Sequence, residues 1–348
     1  MKFIDKNILL ISPEPWGHIH VSKHHYAIKL AQRGNQVIFL NPPSNNFKLN
    51  KTNYENLKVC DYKGFWKGIR FYPKILRTFN QSKVLRSISQ IANLKFDIIW
   101  SFDNSVFFDF DTIPTHIYKI SHIVDYSQNF EFVRAAKSAD ICLAVTSSIL
   151  KKQKQVNQSS YFINHGYSKE IPGKLKLPQS RSLKIGYAGN LEIPYIDWNL
   201  LKTVVKDNSE CEFYFAGPGR MKIESKNCHF IGKLNKSQLT TFYNQMEILI
   251  LCYKADEYPE QLANPHKIME YLGTGKPIVS TYTKEYASID FLHMSKSNQE
   301  WPDLLKAVIK DIHQHSSSEL IRKRKAFAMN NTYDKQIERI EQIITKNG

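Results

Sequence analysis

The run NPHKIMEYLGTGKPIVST, Asn264 to Thr281, combines a chain break, a helix and a strand within 18 residues. Asn264 and Pro265 interrupt what precedes them. Lys267–Leu272 reads as a helix, Gly273 and Gly275 close it, and Pro277–Thr281 reads as a short apolar strand of the kind buried in a parallel sheet. Upstream, Ile248–Tyr253 is another buried strand, so the stretch completes a β-α-β unit. Strand Leu183–Gly189, helix Trp198–Val205, strand Glu212–Ala216, strand His229–Gly232 and helix Ser237–Gln245, with Ser237 as its cap, extend the alternation backwards.

The first half repeats the theme. Asn7–Ser12 and Gln36–Leu40 read as strands around a helix through Tyr26–Ala31, with Gly34 at its C-cap; Phe96–Trp100, His116–Ile120 and Asp140–Val145 follow, the last after a helix through Phe132–Ser138. Gly166–Arg181, rich in Gly, Pro and charge, reads as a linker. The tail carries Ile337, Ile340, Ile343 and Ile344 at amphipathic helical spacing. Two successive β/α runs predict two doubly wound α/β domains with parallel sheets, in which ligands bind beyond the carboxyl ends of the strands. The expected division is 1–168, 169–330 and a terminal helix over 331–348.

Three post-strand or helix-start segments share small, backbone-exposing residues: Gly189-Asn190, Gly217-Pro218-Gly219 and Asn264-Pro265-His266-Lys267. Glycine lets a backbone approach a phosphate, and a helix N-terminus adds unpaired N–H groups and partial positive charge. Lys267 supplies a full charge there. Glu270, one turn on, faces the same side, where a carboxylate can accept the hydroxyls of a ribose. The pattern suits a nucleoside diphosphate held without a P-loop.

These residues support a resemblance. NPHKIMEYLGTGKPIVST resembles the donor-site signature of GT-B glycosyltransferases, and KIGYAGNLEIPYIDWNLL, EFYFAGPG and HFIGKLNKSQLTTFYNQMEILILCY are similar to the rest of their second domain. WGHIHVSKHHYAIKLAQRGNQVIFLNPP and IYKISHIVDYSQN resemble the first domain of teichuronic-acid-type glycosyltransferases and the xanthan glucuronosyltransferase; family 4 enzymes are more distant. The resemblance implies two Rossmann-like domains facing across a cleft, with the C-terminal helix crossing back to the first. It implies that Lys267 binds the diphosphate and Glu270 the ribose. The base would lie against Phe230, Ile231 and Gly232, with Tyr253, Pro265 and His266 near the donor. In xanthan-type enzymes an Asp four residues after the Tyr of Y-x-x-S acts as base; here that position is His122, with Asp125 in reserve. Trp16-Gly17-His18 would wall the acceptor side. Two departures weaken a retaining family 4 mechanism: Leu262 stands where the first acid of E-x7-E belongs, and the Arg and Lys expected after Gly189 are absent.

The implied function is transfer of a sugar from a UDP-sugar, hexose or glucuronic acid, to a saccharide or lipid-linked acceptor in cell-surface polysaccharide assembly. Neither cofactor nor metal is expected if Lys267 and helix N-termini neutralise the diphosphate. A UDP-sugar epimerase on the same fold is the alternative. A basic nucleic-acid-binding protein is the weaker one, suggested by 48 basic against 32 acidic residues and a net charge of +16; no nucleic-acid-binding signature accompanies the charge. Five scattered cysteines lack C-x-x-C spacing and read as reduced and buried, and His18, His20, His24 and His25 lack the partners of a zinc site. The N-terminus lacks a secretory pattern, and no apolar run reaches the roughly 18 residues of a span, so a cytoplasmic protein is expected. Between Tyr62 and Arg86, seven Lys or Arg alternate with Phe65, Trp66, Phe71, Tyr72 and Phe79 and no acid intervenes. This segment reads either as an element lying on the anionic inner face of the plasma membrane or as a solvated basic face over a packed helix.

Overall fold

A computed structural model of the chain describes residues 1–17, 20–103, 109–124, 132–178 and 180–347. They divide into two compact units, Met1–Gly166 with Tyr333–Gly348, and Tyr167–Thr332.

The first unit runs β1 (Asn7–Ile11), α1 (Ser22–Gln32), β2 (Gln36–Leu40), β3 (Lys48–Lys51), β4 (Leu57–Asp61), α2 (Lys74–Ala92), β5 (Ile98–Ser101), β6 (Tyr118–Ile123), α3 (Phe132–Ser138), β7 (Ile141–Ala144), α4 (Ser147–Lys154) and β8 (Ser160–Phe162). Its sheet has the order β3-β4-β2-β1-β5-β6-β7-β8 and is parallel except where β3 runs against β4. The apolar runs NILLI and QVIFL are buried on both faces, as inner strands of a covered parallel sheet must be. The last helix, α11 (Tyr333–Asn347), joins this unit: Tyr333, Ile337, Ile340 and Ile344 pack into the core of β1, β2 and α1. Glu341 fixes it further, accepting from the Phe3 N–H at 2.6 Å and from Arg33 at 2.8 Å.

The second unit runs β9 (Lys184–Ala188), α5 (Trp198–Asp207), β10 (Glu212–Ala216), β11 (Cys228–Gly232), α6 (Lys236–Gln245), β12 (Ile248–Leu251), α7 (His266–Thr274), β13 (Ile278–Ser280), β14 (His293–Met294), α8 (Trp301–Lys310), α9 (Ile312–His315) and α10 (Ser318–Asn330). Its wholly parallel sheet has the order β11-β10-β9-β12-β13-β14. The chain steps outward from β9 in one direction and from β12 in the other. The switch point, where a ligand crevice is expected, therefore lies between the ends of β9 and β12.

Three sequence expectations change. Gly166–Arg181 is no free linker: the Gly173 N–H bonds Ser237 O, Gln245 Nε2 donates to Leu175 O and Leu177 is buried, so the segment straps along α6. The cap of α6 is Asn235 rather than Ser237; its Oδ1 accepts from Gln238 N at 2.9 Å while Gln238 Oε1 accepts from Asn235 N at 3.0 Å. Strand β6 reaches Ile123, which carries His122 inside the sheet.

Candidate donor site and acceptor-side residues

Helix α7 opens at Pro265 and ends at Gly275, whose φ of 79° is the left-handed cap conformation glycine favours. Ile268, Met269, Tyr271 and Leu272 form its buried face. Lys267 and Glu270, three residues apart, share a flank at the switch point and are half-buried.

The lysine is held close to the end of β9. Its ammonium lies 5.9 Å from the centre of the Tyr187 ring. A Cβ added to Gly189 would sit 2.5 Å from Lys267 Cε and 3.0 Å from Nζ, so only glycine lets the strand end receive this side chain. Tyr187 Oη is 3.2 Å from Tyr253 Oη, and Tyr271 Oη accepts from Ala188 N at 3.1 Å, forming a wall of buried phenols behind it. Among the described residues no carboxylate forms an ion pair with Lys267. Burial pulls its pKa below the ordinary lysine value, with the Glu270 charge opposing. An ammonium partly withdrawn from water, near the Glu270 charge but in no contact ion pair among the described residues, is suited to an incoming anion.

Glu270 is better supplied. Tyr243 Oη donates to its Oε2 at 3.1 Å, and His266 Nδ1 lies 3.4 Å from Oε1. Burial works to raise its pKa. The His266 hydrogen bond and charge, the Lys267 charge and the Tyr243 hydroxyl outweigh that and hold it at about 2. The carboxylate is therefore ionised and oriented, with lone pairs left for a diol. Tyr243 comes from α6, and nothing in the local pattern of TTFYNQ marks it as a partner of Glu270.

The strand ends beside them are stacked backbone on backbone. Gly189 N donates to Ala216 O and Gly217 N to Gly232 O, each at 2.8 Å. Gly217 has a φ of 145°, and a Cβ there would lie 1.6 Å from Gly189 O, so no other residue fits. Leu191 N bonds Pro218 O, and Glu192 takes the Arg220 N–H at 2.7 Å and Lys222 Nζ at 3.1 Å, tying the loops after β9 and β10 into one layer that includes Asn190 and Gly219. Phe230 stacks on Phe215 at 5.3 Å while Gly232 is exposed, so backbone rather than the Phe230 ring is offered at the end of β11. Tyr253 is buried behind Lys267, which makes it a support for the site rather than a surface group.

The residues expected on the acceptor side belong to the first unit. His122 is fully buried, its ring 4.6 Å from Phe102 and 5.4 Å from Tyr26. Trp100 Nε1 donates to its Nδ1 at 3.3 Å, which leaves the proton on Nε2. Burial, with help from the Lys23 charge, lowers its pKa to about 3. A general base must reach the proton it removes. In the structure His122 is thus a neutral histidine enclosed in the core of the first unit. Asp125 and His18 lie outside the described residues. Trp16 is clamped among aromatic rings, 5.0 Å from Phe39 and 4.9 Å from His20, its backbone N–H donates to Asn41 Oδ1, and Gly17 is exposed beside it. The same loop carries Glu14, ion-paired with the buried Lys23, a carboxylate that sequence reasoning passed over. His24 donates to Pro15 O and accepts from Val21 N, and burial lowers its pKa to about 3. Among the described residues no cluster of three or more His, Cys, Asp or Glu is placed to hold a metal. The five cysteines are buried and unbridged.

No family model matches the chain. Over 122 residues it is 23% identical to TuaH of Bacillus subtilis (strain 168), named for teichuronic acid biosynthesis; the match covers 33% of this chain and 30% of TuaH, less than a third of that protein's length. Among solved structures, sucrose-phosphate synthase from Thermosynechococcus elongatus superimposes with a TM-score of 0.71 at 11% identity, covering 98% of each chain. Anabaena HepE, solved with UDP and glucose, gives 0.69 at 12% identity over 98% of this chain and all (100%) of that one. A variant of S. aureus TarM, solved with UDP and α-GlcNAc-glycerol, gives 0.52 at 13% identity, covering 71% of this chain and 55% of TarM. The chain has the GT-B fold of these glycosyltransferases.

Proposed function

We propose that this protein is a glycosyltransferase that moves a sugar from a UDP-sugar to a saccharide or lipid-linked saccharide acceptor in cell-surface polysaccharide assembly. The observation that carries the reading is Lys267: a half-buried ammonium at the sheet's switch point, without a carboxylate partner among the described residues and one turn from an ionised, oriented Glu270. In this reading Lys267 and the N-terminus of α7 hold the diphosphate and stabilise it as it leaves, the charge-stabilising role that such transfer needs most. Glu270 takes the ribose hydroxyls, and backbone around Phe230–Gly232 lies along the base. Further support comes from UDP in the HepE and TarM structures and from the weak match to TuaH.

No metal is needed, because the protein supplies the positive charge itself; turnover should survive excess chelator. The first unit contributes the acceptor side through Trp16, Gly17 and His18. With His122 enclosed in the core, Asp125 takes the role of base for the acceptor hydroxyl. The enzyme works as a peripheral protein on the cytoplasmic face of the plasma membrane. Among the described residues no helix is long and apolar enough to cross a bilayer.

The test is calorimetry with UDP, GDP and TDP, followed by incubation of UDP-sugars with and without saccharide acceptors. Tightest binding of UDP and acceptor-dependent product support the reading. A new epimer formed from the UDP-sugar alone would replace it with the epimerase alternative, and salt-sensitive RNA binding without nucleotide binding would replace both.

A further inference from the structure

The opening turns of α2 are inside out. Ile75 is 82% exposed and Phe79 60%, whereas Asn80 and Gln81 are buried. Large apolar residues on a helix ordinarily face the core and amides face water. The amides turned inward fasten the segment: Asn80 Oδ1 accepts from the backbone N–H of Trp66 at 3.2 Å, and Thr112 Oγ1 donates to Gln81 Oε1. The turn before the helix, Ile69–Phe71, adds Phe71 at 84% exposure. The ring of Trp66 lies 6.1 Å from Tyr72 and 6.2 Å from Phe79, so the outward apolar groups are neighbours rather than scattered. A solvated basic face over a packed helix, the bland reading of this sequence, would have its apolar residues pointing the other way.

Cations border the patch. Lys63, Lys67, Arg70 and Lys74 are exposed beside it, and Lys83 and Arg86 continue the face of Phe79 along α2. Among the described residues the anions nearby are few. Asp109 is buried and bonded to Arg77 at 3.0 Å, and Asp111 lies 3.9 Å from Lys74.

We infer that the face from Trp66 to Phe79, with its cationic border, is a docking surface for an anionic lipid bilayer. The charge selects an anionic partner, and the aliphatic tip selects one with an apolar interior. Ile75 and Leu76 offer nothing to a nucleic acid, which would be read by stacking rings and phosphate contacts, but both suit the boundary between headgroups and acyl chains. Trp66 and Tyr72 have the amphipathic rings that settle at that boundary, and the lysines and arginines reach the anionic headgroups. The surface gives the proposed peripheral location a set of residues, and it rests on the glycosyltransferase reading only in that a lipid-linked acceptor would be met there.

The experiment is flotation of the full chain with phosphatidylcholine vesicles, with and without phosphatidylglycerol, in the absence of any sugar nucleotide. Binding is expected only when phosphatidylglycerol is present. A variant with Phe71→Ser, Ile75→Ser and Phe79→Ser, all at exposed positions, should lose on the order of 100-fold in partitioning. A variant with Lys67→Glu, Arg70→Glu and Lys74→Glu should lose at least as much, and salt should mimic it. Both should keep wild-type UDP affinity, so loss of vesicle binding is separable from loss of the donor site. Equal binding to neutral vesicles, full retention by the serine variant, or a dimer in solution that the serine variant splits would overturn the inference; the last would make the patch an interface between copies of this chain.

Discussion

Replacing Lys267 by methionine separates what the residue does for the empty protein from what it does for a ligand. In the empty protein its charge is a cost: burial lowers its pKa below the ordinary value of about 10.4. The folded state therefore binds that proton less tightly than the unfolded chain does, and the charged form is penalised at neutral pH until the pH rises past the folded pKa. Methionine keeps most of the stem that lies against Gly189 and Tyr187 and removes the charge. Thermal unfolding of unliganded Lys267→Met should therefore occur at the wild-type temperature or higher. With UDP the sign reverses. Losing a charge-assisted contact in a partly desolvated site costs roughly 2–4 kcal/mol, about 30- to 1,000-fold in Kd. Uridine, which has no phosphate, should bind both proteins equally. Calorimetry with UDP and uridine, alongside unfolding curves, reads all three numbers. A variant that binds UDP as well as wild type would refute the diphosphate assignment. One that loses UDP binding only because it no longer folds would refute the reading that the buried charge is a net cost to the empty protein.

Gly189→Ala places a methyl against Lys267 Cε and Tyr187 Oη. It should displace the ammonium and weaken UDP binding by at least tenfold by calorimetry, while the fold survives by circular dichroism. Glu270→Gln should abolish the preference for UDP over 2′-deoxy-UDP in competition binding, since the carboxylate is assigned to the ribose hydroxyls; a preference that persists assigns them elsewhere. The Glu270 pKa of about 2 lies below the unfolded value of about 4.3, so its stabilising contribution is complete above that value and lost as pH falls towards 2. Wild type should accordingly lose more stability than Glu270→Gln between pH 5 and 3, as followed by thermal melts. His122→Ala removes a ring packed between Phe102 and Tyr26 and strands the Trp100 indole N–H. It should destabilise the protein by roughly 2–4 kcal/mol yet leave turnover per folded molecule near normal; a stable variant with no turnover would restore His122 as the base.

The parts of the fold legible in the sequence are those where one physical signal dominates. Strands such as Gln36–Leu40 and Glu212–Ala216 are buried on both faces and read as unbroken apolar runs. The strand β3, KLNK, lies antiparallel against β4 with exposed ends and carries no such signal. Helix α2 hides its period because its outward face is apolar where it begins and its inward face polar. The placement of His122 within the sheet was hidden for a related reason. Ser121 and His122 look like loop residues, but the sheet carries them on to Ile123, and an indole N–H from β5 donates to Nδ1 of the imidazole. In the candidate site, the pairing of Lys267 with Glu270 was legible because helical spacing alone sets them on one flank. Tyr243 and Tyr187 were not, since they arrive from α6 and β9 and touch the site only once the sheet has formed.

Acceptor-dependent transfer from a UDP-sugar can be followed by mass spectrometry of reactions containing one UDP-sugar at a time with and without a lipid-linked saccharide. The account predicts that one donor gives UDP together with an acceptor heavier by a single sugar residue, that both fail to appear when the acceptor is omitted, and that Lys267→Met gives neither. UDP-sugar isomerised without acceptor, or an acceptor extended as well by Lys267→Met as by wild type, would contradict it.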